Sequence, residues 1–179
     1  AAYQACYGTK ASVQYVPVDG GAGAGPGSGE AALDLEVAIG LAPKATIRVY
    51  QGPNSSGGGA GSGPYDTYSA IFNQDQAQVV STSWGDCESN TGADVVKAES
   101  TLFEQAAAQG QAVVAAAGDT GSEDCVATTG VPLPTLAVDD PGSQPYVTSA
   151  GGTTLSGLGP PPVETVWNNG GNLQGLLGL

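Results

Sequence analysis

Short apolar runs alternate along the chain with stretches of helical period. Residues 12–19, SVQYVPVD, alternate apolar and polar side chains and are predicted to form a strand. Residues 20–29 are all glycine, alanine, serine or proline and read as a loop. A helix is predicted over 29–41, GEAALDLEVAIGL, with Ser28 as its candidate N-cap. A strand is predicted over 45–51, a glycine-serine loop over 52–64 and a helix over 65–74. AQVVSTSW at 77–84 reads as a buried strand. Residues 93–110 give the best helical period, with Val95, Ala98, Leu102, Phe103 and Ala106 as the apolar stripe and Gly110 as the stop. QAVVAAAG at 111–118 is a second buried strand, and PYVTSAGG at 145–152 is a further one.

Strands alternating with helices imply an α/β domain with a mostly parallel sheet. The almost uninterrupted apolar character of 79–84 and 112–117 implies cover on both faces. In open α/β sheets ligands bind beyond the carboxyl ends of the strands. The strand at 77–84 runs into SWGD, the strand at 111–118 into GDTGS, and the helix carrying Glu30 starts just after the first strand. Three polar clusters distant in sequence are thus expected at one sheet edge.

Composition narrows the chemistry. Among 179 residues, 40% are apolar, enough for a core. Net charge is -13 with only Lys10, Lys44, Arg48 and Lys97 basic, which argues against nucleic acid or an anionic membrane as partner. Many carboxylates and few amines suit work in acid, where protonation reduces self-repulsion. No transmembrane run or signal peptide is seen. The lack of methionine points to a processed product or a fragment. The absence of histidine is decisive: no Ser-His-Asp or Cys-His mechanism can be built from these residues, so a general base must be a carboxylate, lysine or tyrosine.

Glu30 and Asp34 lie four residues apart on an otherwise apolar helix, so they share a face and repel by a few tenths of a kcal/mol. The ordinary account is an acidic surface near a helix N-terminus, where the dipole favours anions. The chemical account is a carboxylate base with a second acid behind it, sharing a proton and tuning its pKa. Glu36 adds a third acid nearby. Asp119 is either a turn residue or, protonated, a donor to a developing oxyanion. Ser83, Trp84 and Gly85 are either a strand end with a buried aromatic or an edge that pairs with an extended peptide. Ser83 and Ser122 do not sit on a nucleophile turn. Cys87 and Cys125 each follow a strand and fall on neighbouring loops, so a disulfide between them is geometrically feasible and would suit an extracellular protein. Cys6 is then the odd cysteine. No cysteine spacing suits a metal.

GEAALDLEVAIGLAPKA at 29–45, VVSTSWGDCE at 79–88, AAAGDTGSEDC at 115–125 and SQPYVTSAGGTTL at 143–155 together resemble the sedolisin family, the serine-carboxyl peptidases. The resemblance runs from AYQACYGT to ETVWNN. It implies a subtilisin-like three-layer αβα fold with a mostly parallel sheet, incomplete in this chain. It implies Glu30 as general base, Asp34 as the acid that orients it, Asp119 as the oxyanion acid, and Ser83, Trp84 and Gly85 as the segment that binds the substrate backbone. The family nucleophile is the first serine of a Ser-Gly-Thr-Ser motif, expected beyond this chain; GGTTL at 151–155 is not that motif. The family calcium site is likewise expected in the missing C-terminal part, with no cofactor in these residues. The first sheet strand should precede Ala1, and the tail GGNLQGLLGL departs from the glycine-rich run expected after VWNN.

The expectation is therefore a secreted, acid-acting endopeptidase whose residues 1–179 form a partial peptidase domain. Its partners are a protein or peptide substrate and the rest of the domain, which could be a second chain. The rival expectation is a non-catalytic peptide-binding remnant of such a peptidase.

Overall fold

The computed structural model describes residues 1–23, 25, 27–53, 62–125 and 136–167. The chain divides into two compact units, Ala1–Ala77 and Gln78–Leu179.

The first unit opens with a short helix, α1 (Ala2–Tyr7), followed by β1 (Ser12–Pro17), α2 (Ser28–Leu41), β2 (Thr46–Gln51) and α3 (Gly63–Gln74). β1 and β2 pair in parallel from Ser12↔Thr46 to Pro17↔Gln51, with α2 between them in the chain. This is the strand-helix-strand unit that the alternating pattern implies. α2 does not start as expected. Gly27 is already helical and serves as the N-cap, so Ser28 lies inside the first turn. α3 starts two residues before its predicted limit. Ser62 caps it, accepting from the Tyr65 amide at 3.4 Å, and Pro64 occupies the first turn, where a missing N–H costs nothing. Ile39, Tyr68, Ile71 and Phe72 are buried in this unit.

The second unit holds β3 (Val79–Thr82), β4 (Asp86–Cys87), α4 (Glu88–Thr91), α5 (Ala93–Ala108), β5 (Ala112–Ala116), β6 (Asp139–Asp140), β7 (Val147–Ala150) and the hairpin β8 (Thr153–Gly157) and β9 (Val163–Val166). β5 is the central strand of a parallel sheet of order β3-β5-β7. α5 packs on β5, burying Leu102, Phe103 and Ala106, while Val80, Val113 and Ala115 are buried on the strands. Fully burying a side chain such as Phe103 stabilises by about 1.5–3 kcal/mol.

Two expectations change here. Cover on both faces of β3 is not seen among the described residues: Val80 is buried, but Val79 is 68% exposed. Side chains alternate across a strand, so one helix layer reaches only one of the two faces. The stripe of α5 is also rotated. Its buried residues are Glu99, Leu102, Phe103 and Ala106, while Val95 and Ala98 are half-buried. A carboxyl thus occupies a core position. The short pieces α1, β4, α4, β6 and the β8–β9 hairpin carry too little periodicity to be read from the sequence. The expectation about the tail at 170–179 lies outside the described residues.

Candidate active site

In the first unit, Glu30 lies in the first turn of α2, and Asp34 one turn further on. Glu30 is exposed and Asp34 half-buried. α2 follows β1, so Glu30 stands beyond the carboxyl end of that strand, as the sequence implies. The helix N-terminus favours negative charge, which offsets part of the repulsion between the two acids. The helix itself is mostly uncovered, with Leu33, Val37 and Leu41 all more than half exposed and Ile39 its one buried residue.

In the second unit, β3 and β5 run side by side, with Thr82 opposite Ala115. Ser83–Gly85 leaves the carboxyl end of β3, and Gly118–Asp119 leaves that of β5. The two segments therefore emerge together. Asp119 is exposed. Trp84 is 48% exposed, so the ordinary account of a buried aromatic does not hold. Its backbone is held by Thr82, whose hydroxyl accepts from the Trp84 amide at 3.3 Å and lies 3.4 Å from its carbonyl oxygen. Ser122 is exposed in a turn, and its carbonyl accepts from the Ala137 amide at 3.0 Å.

A Cβ on Gly85 would collide with Asp139 Oδ2 and stand 2.7 Å from the Asp140 carbonyl oxygen. The glycine thus serves a close approach inside this chain, whatever it also permits a peptide to do. Cys87 and Cys125 form a disulfide with their Cα atoms 5.0 Å apart, within the normal range. Cys6 is free and exposed.

Comparison with known proteins gives the family of this fold. The subtilase family profile matches residues 18–171. The chain belongs to the subtilase family, in its sedolisin branch. It is 39% identical over 139 residues to kumamolisin from Bacillus sp. (strain MN-32), covering 77% of this chain and 24% of that protein. It is 33% identical over 150 residues to sedolisin from Pseudomonas sp. (strain 101), covering 81% of this chain and 25% of that one. The solved structure of Pseudomonas sedolisin, a serine-carboxyl proteinase complexed with two molecules of pseudo-iodotyrostatin, superposes with a TM-score of 0.75 at 29% identity, over 94% of this chain and 48% of that one. The chain thus spans about a quarter of the length of these curated relatives.

Sequence reasoning missed one feature of this sedolisin-branch chain. Glu99, Asp124, Asp139 and Asp140 are all buried, between 3% and 8% exposed, in one cluster beneath the Ser83–Gly85 and Gly118–Asp119 segments. Burial, then a hydrogen bond and repulsion from Asp140, push the Glu99 carboxyl up to about 8. Burial, then the charge of Asp124 and a hydrogen bond with it, and the charges of Asp140 and Asp86, push Asp139 up to about 7. Gln144 Nε2 donates to Asp140 Oδ1 at 2.8 Å and to the Val96 carbonyl at 3.0 Å. Among the described residues Glu99 Oε2 has no hydrogen-bond partner. The available signal was Glu99 itself, spaced four before Phe103 within the apolar stripe.

Among the described residues no cluster of histidine, cysteine or carboxylate side chains is arranged to hold a metal, so no chemical step is assigned to calcium here. No described helix is long and apolar enough to cross a membrane. An open cavity of about 610 Å³ lies between α4, α5 and Ser143–Pro145, lined by Glu88, Val96, Lys97 and Gln144 among others. It contains none of the residues picked from the sequence.

Proposed function

We propose that this chain supplies the base, the orienting acid and the oxyanion acid of an acid-acting serine-carboxyl endopeptidase. One observation carries the reading. In a chain of the sedolisin branch with no histidine, two carboxyls stand one helical turn apart at the start of α2. Glu30 accepts the proton of an attacking serine hydroxyl, and Asp34 orients Glu30 and stabilises its protonated form. Asp119, as a carboxylic acid, donates to the oxygen of the tetrahedral intermediate; as a carboxylate it would repel that oxygen. The Ser83–Trp84–Gly85 segment, with Trp84 and Gly85 exposed, pairs with the extended substrate backbone. The attacking serine belongs to the part of the relatives' length that this chain does not span, and calcium, where the complete enzyme uses it, belongs there too. The disulfide and the acidic surface support a secreted, extracellular setting.

The test is turnover by the complete protein. Denatured protein should be cleaved at acid pH. Glu30→Gln should abolish most of that turnover with the fold intact. Retention of near-normal kcat in Glu30→Gln would refute the assignment.

A further inference from the structure

The Asp124–Asp139 pair stands where two glycines have no side chain. A Cβ on Gly85 would strike Asp139 Oδ2, and a Cβ on Gly118, whose φ is +80°, would strike Asp124 Oδ1 and stand 3.0 Å from Asp124 Cγ. Gly85 closes the Ser83–Gly85 segment, and Gly118 precedes Asp119. Each carboxyl therefore presses on the backbone of one candidate substrate-site loop, and the two carboxyls meet each other beneath both. The surrounding chain is tied to the same point. β4 pairs with β6 through Asp86↔Asp140 and Cys87↔Asp139, and Cys87 is bridged to Cys125, next to Asp124. Ala137 donates to the Ser122 carbonyl at 3.0 Å, holding the loop after Gly118 to the segment before β6.

We propose that the Asp124–Asp139 carboxyl pair is a positioning element, holding the Ser83–Gly85 loop in register with Gly118–Asp119 while one proton bridges it and releasing both loops when that proton is lost. The proposal rests on the peptidase reading for its consequence, but not for its physics.

Two buried carboxyls in contact cannot both ionise cheaply. The groups packed around Asp139 make this worse: Asp86 from β4, Asp140 from its own strand, and Glu99 from α5 behind Asp140 are all acids. Glu88 on α4 adds another acid, half-buried, and Lys97, the basic residue of α5, is exposed. The orphan Glu99 Oε2, on a residue only 3% exposed, shows the same cluster short of hydrogen-bond donors. Below neutral pH the bridging proton satisfies the pair. Its loss leaves two anions against Gly85 and Gly118, which have no side chain to yield.

Hydrogen exchange of the complete protein, corrected for the intrinsic pH dependence of exchange, tests this directly. Peptides spanning 79–88 and 116–125 should lose protection together, by tenfold or more, between pH 5 and pH 8. Asp139→Asn keeps a donor toward Asp124 that cannot be lost, so protection should persist to pH 8. Asp124→Asn gives the same test from the other partner should the first variant fold poorly. Wild-type protection that is flat over this range, or Asn variants that lose protection just as the wild type does, would overturn the proposal. With substrate, KM should rise with pH in the wild type and stay level in Asp139→Asn; parallel KM profiles would also overturn it. Exchange needs no catalysis, so the clamp can fail while Glu30→Gln still abolishes turnover, and the reverse.

Discussion

α2 and α5 treat their acids in opposite ways. α2 is an apolar helix that keeps Glu30 and Glu36 exposed and Asp34 half-buried while Leu33, Val37 and Leu41 face solvent. α5 is a polar helix that buries Glu99 among Leu102, Phe103 and Ala106. A carboxylate at an exposed helix N-terminus keeps its charge at little cost. A carboxyl inside a core keeps its proton instead, and its cost depends on pH. The first arrangement suits an exchanger of protons with a bound substrate. The second suits a structural group that senses the medium.

The largest expected effect lies on α2. Glu30→Gln in the complete protein should lower kcat by about 10²–10⁴-fold, the usual worth of a general base. Its melting temperature should hardly move, since Glu30 is exposed. A large loss of stability with intact specific activity would reverse the contrast between the two helices.

Glu99→Gln on α5 should do the converse. The folded-state pKa of Glu99 is raised from 4.5 to about 8, so the folded chain binds more protons than the unfolded chain between those values. Stability is then fully present below about pH 4.5 and declines until about pH 8. Asp139 adds a second decline, from about 3.8 to about 7. Glutamine cannot ionise, so Glu99→Gln should flatten its share of the decline, on the order of a few kcal/mol, or roughly 5–10 °C in melting temperature at pH 8. Calorimetry at pH 4 and pH 8 decides it. A variant that is equally stabilised at both pH values, or at neither, would show that burial of Glu99 is not what the slope reports.

The comparison also shows what the sequence made legible. Strand-helix alternation revealed the two parallel sheets, because side-chain period is a local property. Glu30 and Asp34 stand out in the sequence because two acids on an apolar helix violate the pattern around them. Glu99 violates its pattern equally, yet the sequence does not mark it, since a charged residue within a helical stripe is usually solvated. Its burial depends on Asp140 and Gln144, more than 40 residues away, which no local period encodes. The cap falls one position before Ser28 because Gly27, though a glycine, is already helical.

Asp119→Asn should have a smaller effect, one of shape more than size. The amide keeps a hydrogen-bond donor for the oxyanion and cannot ionise. The alkaline limb of kcat should move to higher pH while kcat in acid falls only severalfold. A limb that moves in Asp139→Asn but not in Asp119→Asn would transfer it from the oxyanion site to the buried pair.

The smallest effect is expected at Glu36, and it sharpens the contrast most. At 3.6 residues per turn, Glu30 and Asp34 stand about 40° apart around α2, whereas Glu36 stands about 160° from Asp34, across the helix. Glu36 is exposed, so it shares neither the face of the pair nor a core. Glu36→Gln should therefore change kcat less than twofold and stability by no more than about 0.5 kcal/mol, as for ordinary surface substitutions. Proximity in sequence would make Glu36 as important as Asp34; helical geometry makes it silent. A tenfold fall in kcat would mean that the acids of α2 act through their summed charge, and the one-face account of Glu30 and Asp34 would have to be abandoned.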